Sequence, residues 1–126
     1  MPVELPAVRE HDFEAAVSFG DVVELRLSGS SNVGAAVPFQ HLVDQFHTAI
    51  CDATITDVVV DIVTLEFMNA ACFNVFVSWL GLITELQPER RYRLRFRSNA
   101  NIRWQQRSLH TLSCFATDLV LIGESA

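Results

Sequence analysis

A run of β-branched residues near the middle of the chain, Val58 to Val60 and then Ile62, predicts a strand at the centre of a sheet. Apolar residues between 42 and 50 recur at helical spacing before this run, and an uncharged segment from 67 to 84 follows it. Strands separated by helices imply crossover connections and a mainly parallel sheet. Because the run has no polar alternation, we expect helices to cover this strand on both faces.

The N-terminal part predicts a hairpin that follows a short arm. Phe13 to Phe19 and Val22 to Ser28 are strand-like runs, and Gly20-Asp21 between them is a two-residue turn signal. Residues 1 to 12 contain two prolines and mixed charges, which is typical of an arm. Residues 13 to 126 are then a single domain, because a chain of this length suits one hydrophobic core.

The C-terminal part predicts a strand, a helix and a final strand. Tyr92 to Arg97 alternates apolar and basic residues, Asn99 or Asn101 would cap a third helix, and Leu119 to Ile122 is a last short strand. The predicted fold class is therefore α/β. It consists of a mixed, mainly parallel β-sheet with an N-terminal β-hairpin and about three packed helices.

The charges are unevenly distributed. The chain has nine Arg, no Lys and fifteen Asp and Glu, for a net charge of −6, yet residues 90 to 107 contain seven Arg and no acid. An acidic domain with one basic stretch argues against a general nucleic-acid-binding function. The basic side of the alternating strand, from Arg91 to Arg97, has two interpretations: a solvated edge strand defended by charge, or a patch for an acidic partner.

The segment from Val58 to Leu82 carries a family resemblance. It contains VVVD, then LEFM, then a helical stretch for which Asn69 is a suitable N-cap. This order resembles the STAS family of anti-sigma factor antagonists, in which an apolar strand ending in Asp and an apolar pair lead into Asp-Ser-Ser-Gly at a helix start. The resemblance implies a STAS-like fold over residues 13 to 122. The four motif positions are occupied by Asn69, Ala70, Ala71 and Cys72.

Ala71 departs from the family pattern. The Ser that a partner kinase phosphorylates in the family corresponds to Ala71, which has no hydroxyl to accept a phosphoryl group. Phosphorylation at a helix start changes docking by adding negative charge. The resemblance therefore implies a non-catalytic regulatory module that binds its partner without this switch.

By the same resemblance, the partner is an anti-sigma factor or a serine kinase of the histidine-kinase-like ATPase class. Docking is expected around the start of the second long helix and the loop from 28 to 33. The candidate docking residues are Ser30, Ser31, Asn32, Asn69, Ala70, Ala71, Cys72, Asn74, Val77 and Ser78.

The helix that begins near Ala70 has an outer side with little charge. Helical spacing places Phe73, Phe76, Leu80 and Ile83 inward, and Val77, Leu82 and Trp79 outward. An apolar outer side suits a contact with another chain, so a homodimer is a further hypothesis. Alternatively, the arm or a loop of the same chain covers this side.

A second class of function is a ligand-binding module, in which the loop from Ser28 to Gly34 holds a nucleotide or a lipid. Cys72 at a helix start is interpreted either as inert packing or as an oxidant-sensing thiolate. No catalytic residue, metal site or cofactor is predicted, because the four His are scattered and the three Cys lack ligand spacing. Neither nucleic acid nor a membrane is expected as a partner. The N-terminus lacks a signal-peptide pattern, which favours a cytoplasmic protein.

Overall fold

Over Leu5 and residues 7 to 124, which the computed structural model describes, the chain forms six strands and three α-helices. The strands are β1 (Val8–Glu10), β2 (Phe13–Phe19), β3 (Val23–Ser30), β4 (Asp57–Phe67), β5 (Arg93–Ser98) and β6 (Val120–Glu124). The helices are α1 (Ala36–Asp52), α2 (Ala70–Thr84) and α3 (Arg103–Phe115). Short 3-10 turns at Val33–Ala35 and Pro88–Arg90 precede α1 and β5. Part of the predicted arm thus forms strand β1, while residues 1 to 4 and 6 lie outside the described residues.

The strands lie in the sheet in chain order, from β1 to β6. β2 is antiparallel to both β1 and β3, whereas β3, β4, β5 and β6 are parallel to one another. Each parallel connection contains one helix, and successive right-handed crossovers in one direction place all three helices on the same face. The predicted α/β class, with a hairpin followed by a mainly parallel sheet, is confirmed.

The sheet has one covered face and one open face. Along β5, Leu94 and Phe96 are buried on the helix side, while Arg93, Arg95 and Arg97 are exposed on the other. The prediction that helices cover β4 on both faces is wrong. Burial alternates along the first part of β4, and the charged and half-buried residues there lie on the open face. A β-branched run indicates a central strand, but strand order decides how many layers cover it.

The core lies between the sheet and the helices, and aromatic side chains form much of it. Phe76 of α2 contacts both Phe39 of α1 and Phe96 of β5, with ring centroids 5.7 and 5.6 Å apart. Trp79 is fully buried against Phe46, so its predicted outward position is wrong. Because α2 packs between α1 and α3, more than one stripe of the helix is covered. The buried residues of α2 are Cys72, Val75, Phe76, Trp79, Leu80 and Ile83.

Two further expectations about the C-terminal part are wrong. Ile102, which provides no side-chain cap, occupies the N-cap position of α3. The Asn99 side chain instead donates to the carbonyl oxygen of Val63 (3.1 Å) and accepts the N–H of Asn101 (2.9 Å). In addition, β5 is not an edge strand, because it pairs with β4 and β6.

Candidate partner-docking site

The loop between β3 and α1 is hydrogen-bonded to the start of α2. The Ser31 hydroxyl donates to Asn69 Oδ1 (3.0 Å) and accepts the backbone N–H of Asn69 (2.9 Å). The backbone N–H of Ser31 donates to the carbonyl oxygen of Phe67 (3.0 Å), the last residue of β4. Because Ser31 is buried, these bonds are shielded from water, and they fix the loop against the helix start.

Asn69 begins α2 as its N-cap, as the sequence predicts. Its backbone is extended, and Oδ1 accepts the N–H of Cys72 (3.3 Å), one of the helix-start donors without a partner in the first turn. The same Oδ1 atom accepts from Ser31, so a single side chain caps the helix and holds the loop. The position and direction of the first turn of α2 therefore depend on Asn69.

Gly29 allows the turn between β1 and β2 to pass close to the end of β3. Its φ is +82°, and a Cβ at this position would lie 1.6 Å from the carbonyl oxygen of Asp12. Asp12 lies in the turn between β1 and β2, and its carbonyl oxygen also accepts the N–H of Ser30 (3.4 Å). A residue with a side chain at position 29 would push this turn away and displace the loop between β3 and α1.

The predicted docking residues differ in their exposure. Ala70, Ala71, Asn74 and Ser78 are exposed and uncharged along one side of α2. Ser30, Asn32, Asn69 and Val77 are half-buried, and Val77 packs partly against the core. Ser31 and Cys72 are buried, so their side chains support the surface from inside.

Cys72 lies inside the protein at the start of α2. Its Sγ contacts the carbonyl oxygen of Asn32 (3.8 Å), and the residue is fully buried. Burial raises the pKa of the Cys72 thiol, and its side-chain interaction with Ser31 acts in the opposite direction. A thiol with a raised pKa is a poor nucleophile at neutral pH. Burial and a raised pKa thus favour the packing interpretation of Cys72 over the thiolate sensor.

The arginines of β5 lie on the open face of the sheet, and the helices cover the other face. Arg93 and Arg95 both pair with Asp57 (3.2 and 3.4 Å), and Arg97 pairs with Asp61 (3.6 Å). Asp57 and Asp61 belong to β4, whose register places them beside these arginines. Two neighbouring carboxylates thus offset part of the positive charge of this strand.

A second polar network, which the sequence did not reveal, lies near the C-terminal half of α2. Trp79 Nε1–H donates to the Tyr92 hydroxyl oxygen (2.6 Å), which is also 2.6 Å from His47 Nδ1. When the neutral imidazole carries its proton on Nε2, the Tyr92 hydroxyl donates to Nδ1. Burial lowers the pKa of His47, whereas Asp44 and Glu85 act to raise it. The network joins α1, α2 and the residue before β5, which are far apart in the chain, so no local pattern could have predicted it.

The loop predicted as a ligand site is flanked by acceptor oxygens. A Cβ at Gly34 would lie 3.2 Å from Glu10 Oε1 and 3.3 Å from Asn32 Oδ1. A carboxylate beside the loop disfavours the binding of an anion such as a nucleotide phosphate. Over the described residues, no group of three or more His, Cys, Asp and Glu could hold a metal ion. None of the helices within residues 7 to 124 has the length and apolar character of a transmembrane span.

The architecture is shared with solved structures. An anti-sigma factor antagonist from Mycobacterium paratuberculosis matches with a TM-score of 0.58 and 16% identity, over 90% of each chain. An uncharacterised protein with a SpoIIAA-like fold from Shewanella loihica matches with a TM-score of 0.57 and 11% identity, over 94% of this chain and 90% of that one. No protein-family model and no curated protein matches the sequence. The chain therefore has the fold of the anti-sigma factor antagonists, the STAS-like fold.

Proposed function

We propose that this chain is a non-catalytic regulatory module that acts by binding another protein through the start of α2. The partner class is an anti-sigma factor or a histidine-kinase-like ATPase with serine kinase activity. Ala71 lies at the position that the resemblance assigns to the phosphorylated Ser, so binding does not depend on phosphorylation there. Control then comes from the state or the concentration of the partner.

The observation that carries this proposal is the surface formed by Ala70, Ala71, Asn74 and Ser78. These side chains are exposed, small and uncharged, whereas a solvated helix surface is usually rich in charge. The bonds between Ser31 and Asn69 hold the surface in place, which lowers the entropy cost of ordering it on binding. A preorganised surface with little charge suits a protein partner better than a charged small ligand.

The test uses binding of the purified chain to each anti-sigma factor and each histidine-kinase-like ATPase of its source organism, measured by calorimetry. We expect one of them to bind, and Ala71→Asp to weaken that complex by about tenfold or more, because a charge would be buried in the interface. An acidic residue in the first turn favours the helix, so this variant should remain folded. Ala53→Asp, at an exposed position beyond the end of α1, is the matched control and should bind normally.

A second measurement concerns the missing switch. With a kinase partner and ATP, the natural chain should keep its intact mass at residues 69 to 72, whereas Ala71→Ser should gain a phosphoryl group. Ala70→Ser, one position earlier, is the control that should stay unmodified. Failure of every candidate partner to bind, or normal binding by Ala71→Asp, would contradict the proposal.

A further inference from the structure

Seven of the nine arginines have a hydrogen-bond or ion-pair partner among the described residues, and two do not. Five form ion pairs with carboxylates, and the guanidinium groups of Arg90 and Arg91 donate to backbone carbonyl oxygens. The guanidinium groups of Arg103 and Arg107 have no ion pair or hydrogen bond to the described residues. These two, the α3 arginine pair, are exposed and lie one helical turn apart.

The α3 arginine pair borders a surface that contains Trp104. Arg103, Trp104, Arg107 and Ser108 line an open depression of about 390 Å³. Trp104 is half-buried, and its Nε1–H donates to the carbonyl oxygen of Glu66 (2.7 Å). That bond fixes the ring, so an aromatic surface and two free cations are presented together.

The end of β4 connects this depression to the loop between β3 and α1. Glu66 binds Trp104 through its carbonyl oxygen, and the next residue, Phe67, binds the N–H of Ser31 in the same way. Phe67 is 53% exposed, so a large apolar residue lies at the surface beside this loop. Met68 and Phe73 share an apolar crevice with Trp104 between α2 and α3. Apolar residues thus continue from the start of α2 to the α3 arginine pair.

We propose that this extended surface binds an acidic segment of the partner protein. Carboxylates of that segment pair with Arg103 and Arg107, and an apolar side chain packs against Phe67 and Trp104. Arg and aromatic residues are the side chains that most often dominate binding energy in protein interfaces. The inference rests on the proposed function, since it assigns charge and chemistry to the partner of the same site.

A nucleic acid is disfavoured as the occupant. Polyanion binding gains its free energy from many phosphate contacts, and only two unpaired arginines lie on this surface. The chain also has a net charge of −6, which repels an extended polyanion. Two cations beside apolar anchors are better matched to a short acidic segment of a protein.

The probe is a synthetic peptide in which Asp and Glu residues flank a central Leu-Phe pair, titrated into the full chain. The indole N–H signals of the two tryptophans in an NMR spectrum report where it binds. We expect the Trp104 signal to shift and the signal of the fully buried Trp79 to stay in place. The same peptide with Asn and Gln in place of Asp and Glu should bind more weakly.

The variants separate a local effect from a change in total charge. Arg103→Gln with Arg107→Gln should weaken acidic-peptide binding about fivefold, the effect of losing two exposed ion pairs. Arg93→Gln with Arg95→Gln removes the same charge from the open face and should leave the affinity unchanged. Equal losses in both double variants, equal binding of the neutral peptide, or an unmoved Trp104 signal would overturn the inference.

Two further outcomes keep this inference distinct from the proposed function. Tighter binding of oligo-dT or of phosphatidylglycerol vesicles than of the acidic peptide would overturn the assignment of an acidic protein segment. A native partner whose complex is weakened by Ala71→Asp but not by the Arg103 and Arg107 changes would also overturn it. In that case the proposed function would stand.

Discussion

The two halves of α2 are held by polar networks that differ in burial and chemistry. At the start of the helix, Ser31 and Asn69 bind each other beside the exposed Ala70 and Ala71. In the C-terminal half, Trp79 binds Tyr92 inside the protein, and Tyr92 in turn binds His47. The first network positions a surface, and its two side chains do not titrate. The second stabilises the packing of α2 against α1 and the residue before β5, and it contains an imidazole whose pKa is lowered by burial.

Gly29→Ala should cause the largest loss of stability, and it should act on the region around Ser31 and Asn69. The Cβ would overlap the carbonyl oxygen of Asp12, and the positive φ adds strain, so we expect a loss of about 2–6 kcal/mol in the free energy of unfolding. Urea denaturation followed by circular dichroism measures this loss. Gly20→Ala is the matched control, since a Cβ there would meet no atom within 4 Å. Equal stability of the two variants would show that Gly29 and the carbonyl oxygen of Asp12 are not closely packed.

Tyr92→Phe should have the next largest effect, and it should act on the buried network. Removing the hydroxyl leaves the Trp79 N–H and His47 Nδ1 without their partner, which costs about 1–3 kcal/mol of unfolding free energy. Thr48→Val removes an exposed hydroxyl from α1 and should cost less than about 0.5 kcal/mol. If Tyr92→Phe lowered the free energy of partner binding by as much as it lowered the free energy of unfolding, the two networks would not act independently.

The smallest expected effect is a pH dependence that originates in the buried network. Because burial lowers the pKa of His47, the folded protein takes up a proton less readily than the unfolded chain. Stability should therefore decrease as the pH falls below about 6.5, the ordinary imidazole value, and this contribution should level off once both states are protonated. Protonation would also take away the acceptor for the Tyr92 hydroxyl.

The measurement compares urea midpoints across this pH range for the natural chain and for His47→Gln. Gln retains an acceptor for the Tyr92 hydroxyl and does not titrate, so its midpoint should vary less with pH. An identical pH dependence in the two proteins would assign the effect to other groups.

Most elements of the fold could be predicted from local patterns. The hairpin, the β4 strand and the three helices follow from alternation, helical spacing and a turn signal, and β2 begins and ends at the predicted residues. The cap at Asn69 was also predictable, because a capping side chain acts within its own first turn. The cap of α3 was not, because Asn99 finds a partner in β4 instead.

The candidate site was only partly predictable. The resemblance to the STAS family brought together the loop after β3 and the start of α2, and these segments do lie in contact. It did not indicate that Ser31 and Cys72 are buried, nor that Trp104 shares an apolar crevice with Met68 and Phe73. Those features depend on contacts between residues far apart in the chain.

The sequence by itself indicated the three helices and every strand except the one at Val8–Glu10. Only the tertiary structure decided which arginines form ion pairs, because Asp57 and Asp61 reach Arg93, Arg95 and Arg97 through the register of β4 with β5. The reason is that local spacing specifies the period and the faces of each element. The neighbours of those faces depend on strand order, register and helix packing, which no local pattern specifies.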